Sequence, residues 1–248
     1  MAPENTMAAF RIAVNRWGVD MIETDARLTS DGKVVLIHDS TVNRTCNGKG
    51  SISSMSLQQV KTLDAGFHFR DLNGKISFRG KGVRVPLLDE VLDEFPETRL
   101  NVETKSPEVA YPLLRVIRRH NATHRVLIAA KMDSWRKGAS SYNGPWGASM
   151  KEITKFWCAR HVRMVERLRP KFDVLQVPEH WYGLRVVTRG FVAHAHLLNI
   201  AVHVWVVNDD SNMRRLLDWG VDGIMTDRLD IFSQVLADVS GRSSFYSL

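Results

Sequence analysis

A chain of 248 residues, 44% hydrophobic and 25% charged, can bury one large core and has the size of a single β/α-barrel domain, about 250 residues. No run reaches the roughly 18 to 20 apolar residues that span a bilayer, and the first residues carry no basic start or apolar leader, so the chain as written reads as soluble and cytoplasmic, any export signal lying upstream of Met1. Two distant cysteines, Cys46 and Cys158, argue against a disulfide framework or a zinc site, and a formal charge of +7 favours anionic partners.

Met7, Phe10, Val14 and Trp17 recur at helical spacing, with Asn5 or Thr6 as cap and Gly18 at the end, so the chain opens in a helix. Met21–Leu28 follows as a strand, Thr29-Ser30-Asp31-Gly32 as a turn, and Val34–Ile37 as a second strand, which makes a hairpin. Residues 41–98 are rich in Gly, Ser and Lys and too irregular for helix-strand alternation; they read as an insertion with short elements. Alternation then resumes: strand 100–105, helix 108–120, strand 125–130, a poorly defined stretch 138–150, and helix 151–167. Strands at 173–177, 201–207 and 223–226 are separated by helices near 188–198 and 211–219. Repeated units of this length predict a parallel sheet, closed most readily as a barrel in one domain, 1–248. An open doubly wound sheet is the alternative, but no G-x-G-x-x-G or P-loop follows a strand. The basic residues gather at Arg115, Arg118, Arg119 and Arg125 and again at Arg160, Arg163, Arg167, Arg169 and Lys171. Solvated helix faces account for most of this charge; the remainder suits weak attraction to an anionic membrane surface, as no nucleic-acid motif accompanies it.

The strands also carry the candidate chemistry. Residues two apart on a strand share a face, so Glu23 and Asp25 project together while Ile22, Thr24 and Ala26 face the other way. Like charges this close call for a cation, and hard oxygen ligands suit Ca²⁺ or Mg²⁺; an exposed edge pair is the plainer reading. In the strand after the insertion, Asn101, Glu103 and Lys105 share a face, which adds a third carboxylate and a fixed positive charge suited to a phosphate oxygen; a surface Glu-Lys pair is the plainer reading here. His38 follows the second hairpin strand. With the turn centred on Ser30 and Asp31, antiparallel pairing sets it opposite Glu23, where an imidazole can exchange a proton near neutral pH.

These residues resemble those of the glycerophosphodiester phosphodiesterases. The matching stretches run in family order: Ala2–Thr6, Ile22–Asp25, Leu28–Gly32, His38-Asp39, Arg44–Gly48, Leu63–Gly66, Val85–Val91, Asn101–Lys105, Val204–Asn208 and Gly223–Asp227. The resemblance implies a TIM-type (β/α)₈ barrel of the phospholipase C-like phosphodiesterase kind, with a small insertion after the His-Asp pair. It implies one divalent cation, Ca²⁺ or Mg²⁺, held by Glu23, Asp25 and Glu103, with His38 as a catalytic histidine and Lys105 contacting the phosphate. Trp205 matches a tryptophan that packs against glycerol carbons, although core packing would explain it equally well. The family's His-Arg-Gly motif, at the end of its first strand and shortly before Pro-Glu-Asn-Thr, has no counterpart in the sequence. The expectation is therefore a chain lacking that strand and its histidine, through a start assigned too far downstream. The implied activity is hydrolysis of a small-molecule glycerophosphodiester to glycerol 3-phosphate and an alcohol. A lysophospholipase D on the same scaffold and an inactive phosphate- or metal-binding homologue are the rival readings.

Overall fold

The computed structural model describes residues 1–162 and 164–240. They fall into two compact units, Met1–Gly144 and Pro145–Leu248. The first begins with α1 (Met7–Arg11), capped by the Thr6 hydroxyl, which accepts from the Ala9 amide. The expected single α-helix widens to π-type winding over Ile12–Arg16 before Gly18 ends it at φ +57°.

Strands β1 (Met21–Leu28), β2 (Val34–Leu36), β3 (Arg99–Thr104) and β4 (Val126–Ala130) form one sheet in the order β2-β1-β3-β4. β1, β3 and β4 run parallel, and β2 pairs antiparallel on the outer side of β1. The parallel strands are interrupted by few exposed residues, and β4 is buried along its whole length, as a sheet covered on both faces requires.

The irregular stretch 41–98 holds two short helices, α2 (Leu57–Thr62) and α3 (Leu88–Glu94). A capping box joins Ser56 and Gln59 at the start of α2. Val42, Cys46, Ile52, Val60, Ala65 and Val85 bury together with Val35 and Ile37 at and beside β2, so the stretch has a small core of its own. After β3 comes α4 (Ala110–Arg119), led in by a 3₁₀ turn at Pro107–Val109. Arg125, counted among the surface cations above, is only 7% exposed. Its guanidinium donates to the carbonyls of Leu92, Phe95 and Thr98 and so ties the end of α3 to the start of β4.

In the second unit, α5 (Met150–His161) is shorter than expected: a separate turn at Val165–Arg167 follows it and carries Val165 into the core. Arg163 lies outside the described residues. β5 (Val174–Pro178) is followed by a two-stranded hairpin, β6 (His180–Trp181) with β7 (Leu184–Arg185), which the sequence pattern did not suggest. Then come α6 (Arg189–Leu197), β8 (Ala201–Trp205), α7 (Asp210–Asp218), β9 (Gly223–Ile224) and α8 (Leu229–Ser240). β5, β8 and β9 form a parallel sheet in the order β5-β8-β9. Leu175, Val177, Val202 and Val204 join Phe156 and Phe191 in its core, the two rings edge to face at 5.2 Å. Beyond the strand ends, Asn208 Oδ1 accepts from the Thr226 hydroxyl at 3.0 Å and the Asp227 amide at 2.9 Å, which clasps two of the motif stretches together. Among the described residues, no helix is long and apolar enough to cross a membrane.

Candidate active site

The parallel register of β1 and β3 sets Asp25 beside Glu103 and Glu23 beside Asn101. One carboxylate oxygen from each of Glu23, Asp25 and Glu103 lies within 4.8 Å of the others. Asp25 is buried, Glu103 half-buried and Glu23 exposed, so the group opens to solvent on one side. Lys105, just past β3, stays tied to β1 through its amide, which donates to the Ala26 carbonyl at 3.3 Å. Its Nζ reaches Asp25 Oδ1 at 2.8 Å and Glu103 Oε2 at 2.6 Å. Burial works against that ammonium, but the charges of Asp25 and Glu103 and the hydrogen bonds to both outweigh it, and its pKa rises.

Three carboxylates are hard oxygen donors, the set that suits Ca²⁺ or Mg²⁺ rather than a thiolate-seeking metal. Asn101, in the same row of β3, adds a buried amide oxygen with no hydrogen-bond partner among the described residues. The residues present therefore fit a divalent cation.

Asn5, a candidate helix cap within the matching stretch Ala2–Thr6, instead reaches the carboxylate group. Its backbone is left-handed, φ +50°, a conformation asparagine tolerates better than most residues. From there Nδ2 donates to Asp25 Oδ2 at 2.9 Å, and Oδ1 accepts from the Thr24 hydroxyl and, at 3.3 Å, from the Asp25 amide.

The hairpin register differs by one residue from the expected one. Thr29 and Lys33 close the loop, through Thr29 N to Lys33 O at 3.0 Å and Lys33 N to the Thr29 hydroxyl at 2.9 Å, and the strands pair about Asp31. Pairing runs to Ala26 with Leu36, the Ile37 amide still donates to Asp25 O, and His38 falls past the ladder instead of opposite Glu23. What fixes His38 is Arg27, on the same strand face as Glu23 and Asp25: its Nε and Nη2 donate to the His38 carbonyl at 2.9 and 2.7 Å. Burial lowers the Arg27 pKa, against the opposing pull of Asp25, Asp39 and Glu103, so this guanidinium lies in the field of both the carboxylate group and the His-Asp pair. The exposed His38 ring pairs through Nδ1 with Asp39 at 2.8 Å, and Arg44 links Asp39 to Glu4. The Arg44 hydrogen bond, helped by His38 and opposed by burial, holds the Asp39 carboxyl down at about 2.

Trp205 belongs to the second unit. It ends β8 and lines a pocket of about 260 Å³ with Glu179, His180, Val207 and Asn212, and it is not among the residues of that unit's hydrophobic core. Glu179, on the pocket wall, is paired with Arg215 at 2.6 Å.

The family model described as the glycerophosphoryl diester phosphodiesterase family matches residues 1–231. The chain belongs to that family. It is 32% identical to a glycerophosphodiester phosphodiesterase of Caldanaerobacter subterraneus subsp. tengcongensis, over 91% of this chain and 88% of the relative. Two solved structures show the fold. The glycerophosphoryl diester phosphodiesterase domain of a Mycobacterium tuberculosis protein matches with a TM-score of 0.81 at 18% identity, covering 96% of this chain and 94% of that one. An Oleispira antarctica phosphodiesterase, solved with the product sn-glycerol-3-phosphate, matches with a TM-score of 0.74 at 22% identity, covering 95% and 92%. The chain thus has the β/α-barrel fold class of the family.

Proposed function

We propose that the protein hydrolyses glycerophosphodiesters to glycerol 3-phosphate and an alcohol, with one divalent cation held by Glu23, Asp25 and Glu103. The observation that carries this reading is the convergence of those three carboxylates, from two adjacent parallel strands, around the ammonium of Lys105. When bound, such a cation polarises a phosphate oxygen and makes a nearby hydroxyl more acidic. Lys105, kept protonated by Asp25 and Glu103, offsets charge that grows on the phosphoryl oxygens. His38 moves one proton. With Nδ1 engaged by Asp39, Nε2 is the atom left to take a proton from the attacking hydroxyl or give one to the leaving alcohol. Trp205 is assigned to the glycerol carbons on the family resemblance.

The test is release of glycerol 3-phosphate from glycerophosphocholine by the purified chain, with and without a chelator, beside a lysophospholipid. Chelator-sensitive release from the soluble diester is the expected result. Turnover of the lysophospholipid alone would instead make the chain a lysophospholipase D. Release of nothing from either, by a chain that still binds Ca²⁺ or Mg²⁺, would leave it an inactive metal-binding homologue.

A further inference from the structure

Between α2 and α3 the chain makes a long loop whose base is stapled by one buried carboxylate. Asp64, 7% exposed, accepts from the Gly66 amide at 2.9 Å and from the Gly80 amide at 2.7 Å, one oxygen to each side of the loop. The Ala65 amide donates to Val83 O at 2.9 Å just beneath. Phe69 and Phe78 pack edge to face at 5.5 Å, and Arg79 lies 4.2 Å over the Phe67 ring. At the far end a second tight turn is held by Asp71, whose Oδ1 accepts from the Asn73 and Lys75 amides, both at 3.0 Å. The loop is therefore shaped at both ends by its own hydrogen bonds.

Its composition is one-sided. Residues 70–84 carry five cations, Arg70, Lys75, Arg79, Lys81 and Arg84, against the single acid Asp71. The three arginines direct N–H groups to the backbone carbonyls of Gly74, Phe67 and Thr62, and among the described residues none of them is in an ion pair. Asp71 accepts from two backbone amides and from the Ser77 hydroxyl, with the Lys75 ammonium in its field. Beyond the aromatic base, Leu72 is 63% and Ile76 38% exposed, two aliphatic side chains in a segment where cations outnumber acids five to one. Other arginines of this unit do meet carboxylates: Arg119 is paired with Asp89, Arg44 with Glu4 and Asp39, and Arg11 with Glu94.

We infer that the loop 67–82 is a docking surface for an anionic lipid bilayer, Leu72 and Ile76 entering the headgroup-acyl boundary while Lys75, Lys81, Arg70 and Arg79 meet anionic headgroups. Charge complementarity selects an anionic surface. The exposed aliphatic tip, Leu72 and Ile76, selects a bilayer over a nucleic acid, whose phosphate backbone offers such side chains no apolar phase to enter. A few exposed side chains give weak and reversible attachment, sensitive to ionic strength because the cations lie in water. This surface is independent of the hydrolytic reading, since none of its residues belongs to the carboxylate group or to the His-Asp pair.

The experiment is vesicle co-sedimentation of the full chain with phosphatidylcholine alone and with phosphatidylcholine mixed with phosphatidylserine, at low and physiological salt. The expected result is binding to the mixed vesicles only, weakening as salt rises. Lys75→Glu with Lys81→Glu should reduce that binding at least tenfold, and Leu72→Ser with Ile76→Ser should reduce it several-fold at either salt, both without change in thermal midpoint or in hydrolysis of a soluble diester, because all four side chains are exposed. Failure of the parent chain to bind mixed vesicles, or equal binding by the charge-reversed variant, overturns the proposal. So does a short DNA duplex that displaces the vesicles and loses affinity with the same charge reversal.

Discussion

Asn5 holds Asp25 from two directions: its Nδ2 donates to the carboxylate at 2.9 Å, and its Oδ1 accepts from the amide of the same residue at 3.3 Å. The amide cannot be turned round without setting an oxygen against a carboxylate and an N–H against an N–H, so the carboxylate orientation is set by a residue outside the strand that carries it. Groups that orient metal ligands in this way are worth about 10- to 100-fold in metal affinity. Asn5→Gly keeps the left-handed backbone at little cost and removes only the amide. Ca²⁺ or Mg²⁺ affinity in titration calorimetry is expected to fall about 10- to 100-fold. Parent-like affinity in this variant would remove Asn5 from the site.

Among the described residues Lys105 is the only cation paired with Asp25, and both side chains are largely buried, 13% and 7% exposed. Removing one partner of such a pair leaves a desolvated charge, at a cost of about 3 kcal/mol or more. Lys105→Met should therefore lower the metal-free unfolding free energy by about that amount in urea titration. Added Ca²⁺ or Mg²⁺ should restore more stability to the variant than to the parent, because the ion then balances a charge the lysine no longer meets. Equal metal effects on the two proteins would show that the cation and Lys105 do not share these carboxylates.

The strands and the carboxylate group were legible because both depend on short-range alternation. β1 spans Met21–Leu28 as its pattern indicates, and the i, i+2 rule alone sets Glu23 beside Asp25. Residues whose roles depend on distant backbone were not legible. Asn5 acts across 20 residues from a left-handed conformation that no local pattern marks. The one-residue slip at His38 comes from a loop closed at Thr29 and Lys33, which moves the centre of the hairpin to Asp31. Arg27 could have been found: it continues the Glu23, Asp25 series on the same face. The hairpin at 180–185 was hidden because its turn uses Tyr182-Gly183, both at positive φ, where Asn-Gly is the usual signal. Leu229, Phe232, Val235, Leu236 and Val239 do recur at helical spacing, so α8 was readable and overlooked.

Gly66 lies against the other side of the lipid-docking loop. A Cβ built there would sit 2.8 Å from the Phe78 carbonyl oxygen and 2.8 Å from the Phe78 Cβ, and contact with backbone leaves little room to yield. Gly66→Ala should cost about 1–3 kcal/mol, the range for overpacking a close contact, seen as a lower thermal midpoint. Gly74→Ala in the same loop meets no atom within 4 Å, so its penalty comes only from φ +74°. Its midpoint is therefore expected to fall less. The reverse ranking would mean that the loop does not close against Gly66 in solution.

The last prediction concerns acid. Asp39 ionises at about 2 in the folded protein because Arg44, and secondarily His38, donate to its carboxylate. In the unfolded chain an aspartate titrates near its ordinary value of about 3.9. The folded pKa is the lower one, so as pH falls the unfolded chain takes up its proton first. The stability Asp39 contributes is thus fully present above about pH 4 and is lost progressively as pH falls toward about 2. A carbon-detected titration of Asp39 should show a midpoint near 2 in the parent and a rise toward about 3.9 in Arg44→Ala, with the acid unfolding limb above pH 2 shallower in the variant. A midpoint that stays near 2 without Arg44 would reject the guanidinium as the cause. Over the neutral range Asp39 remains ionised and keeps hold of His38 Nδ1, so any loss of turnover between pH 5 and 8 must come from a group other than Asp39.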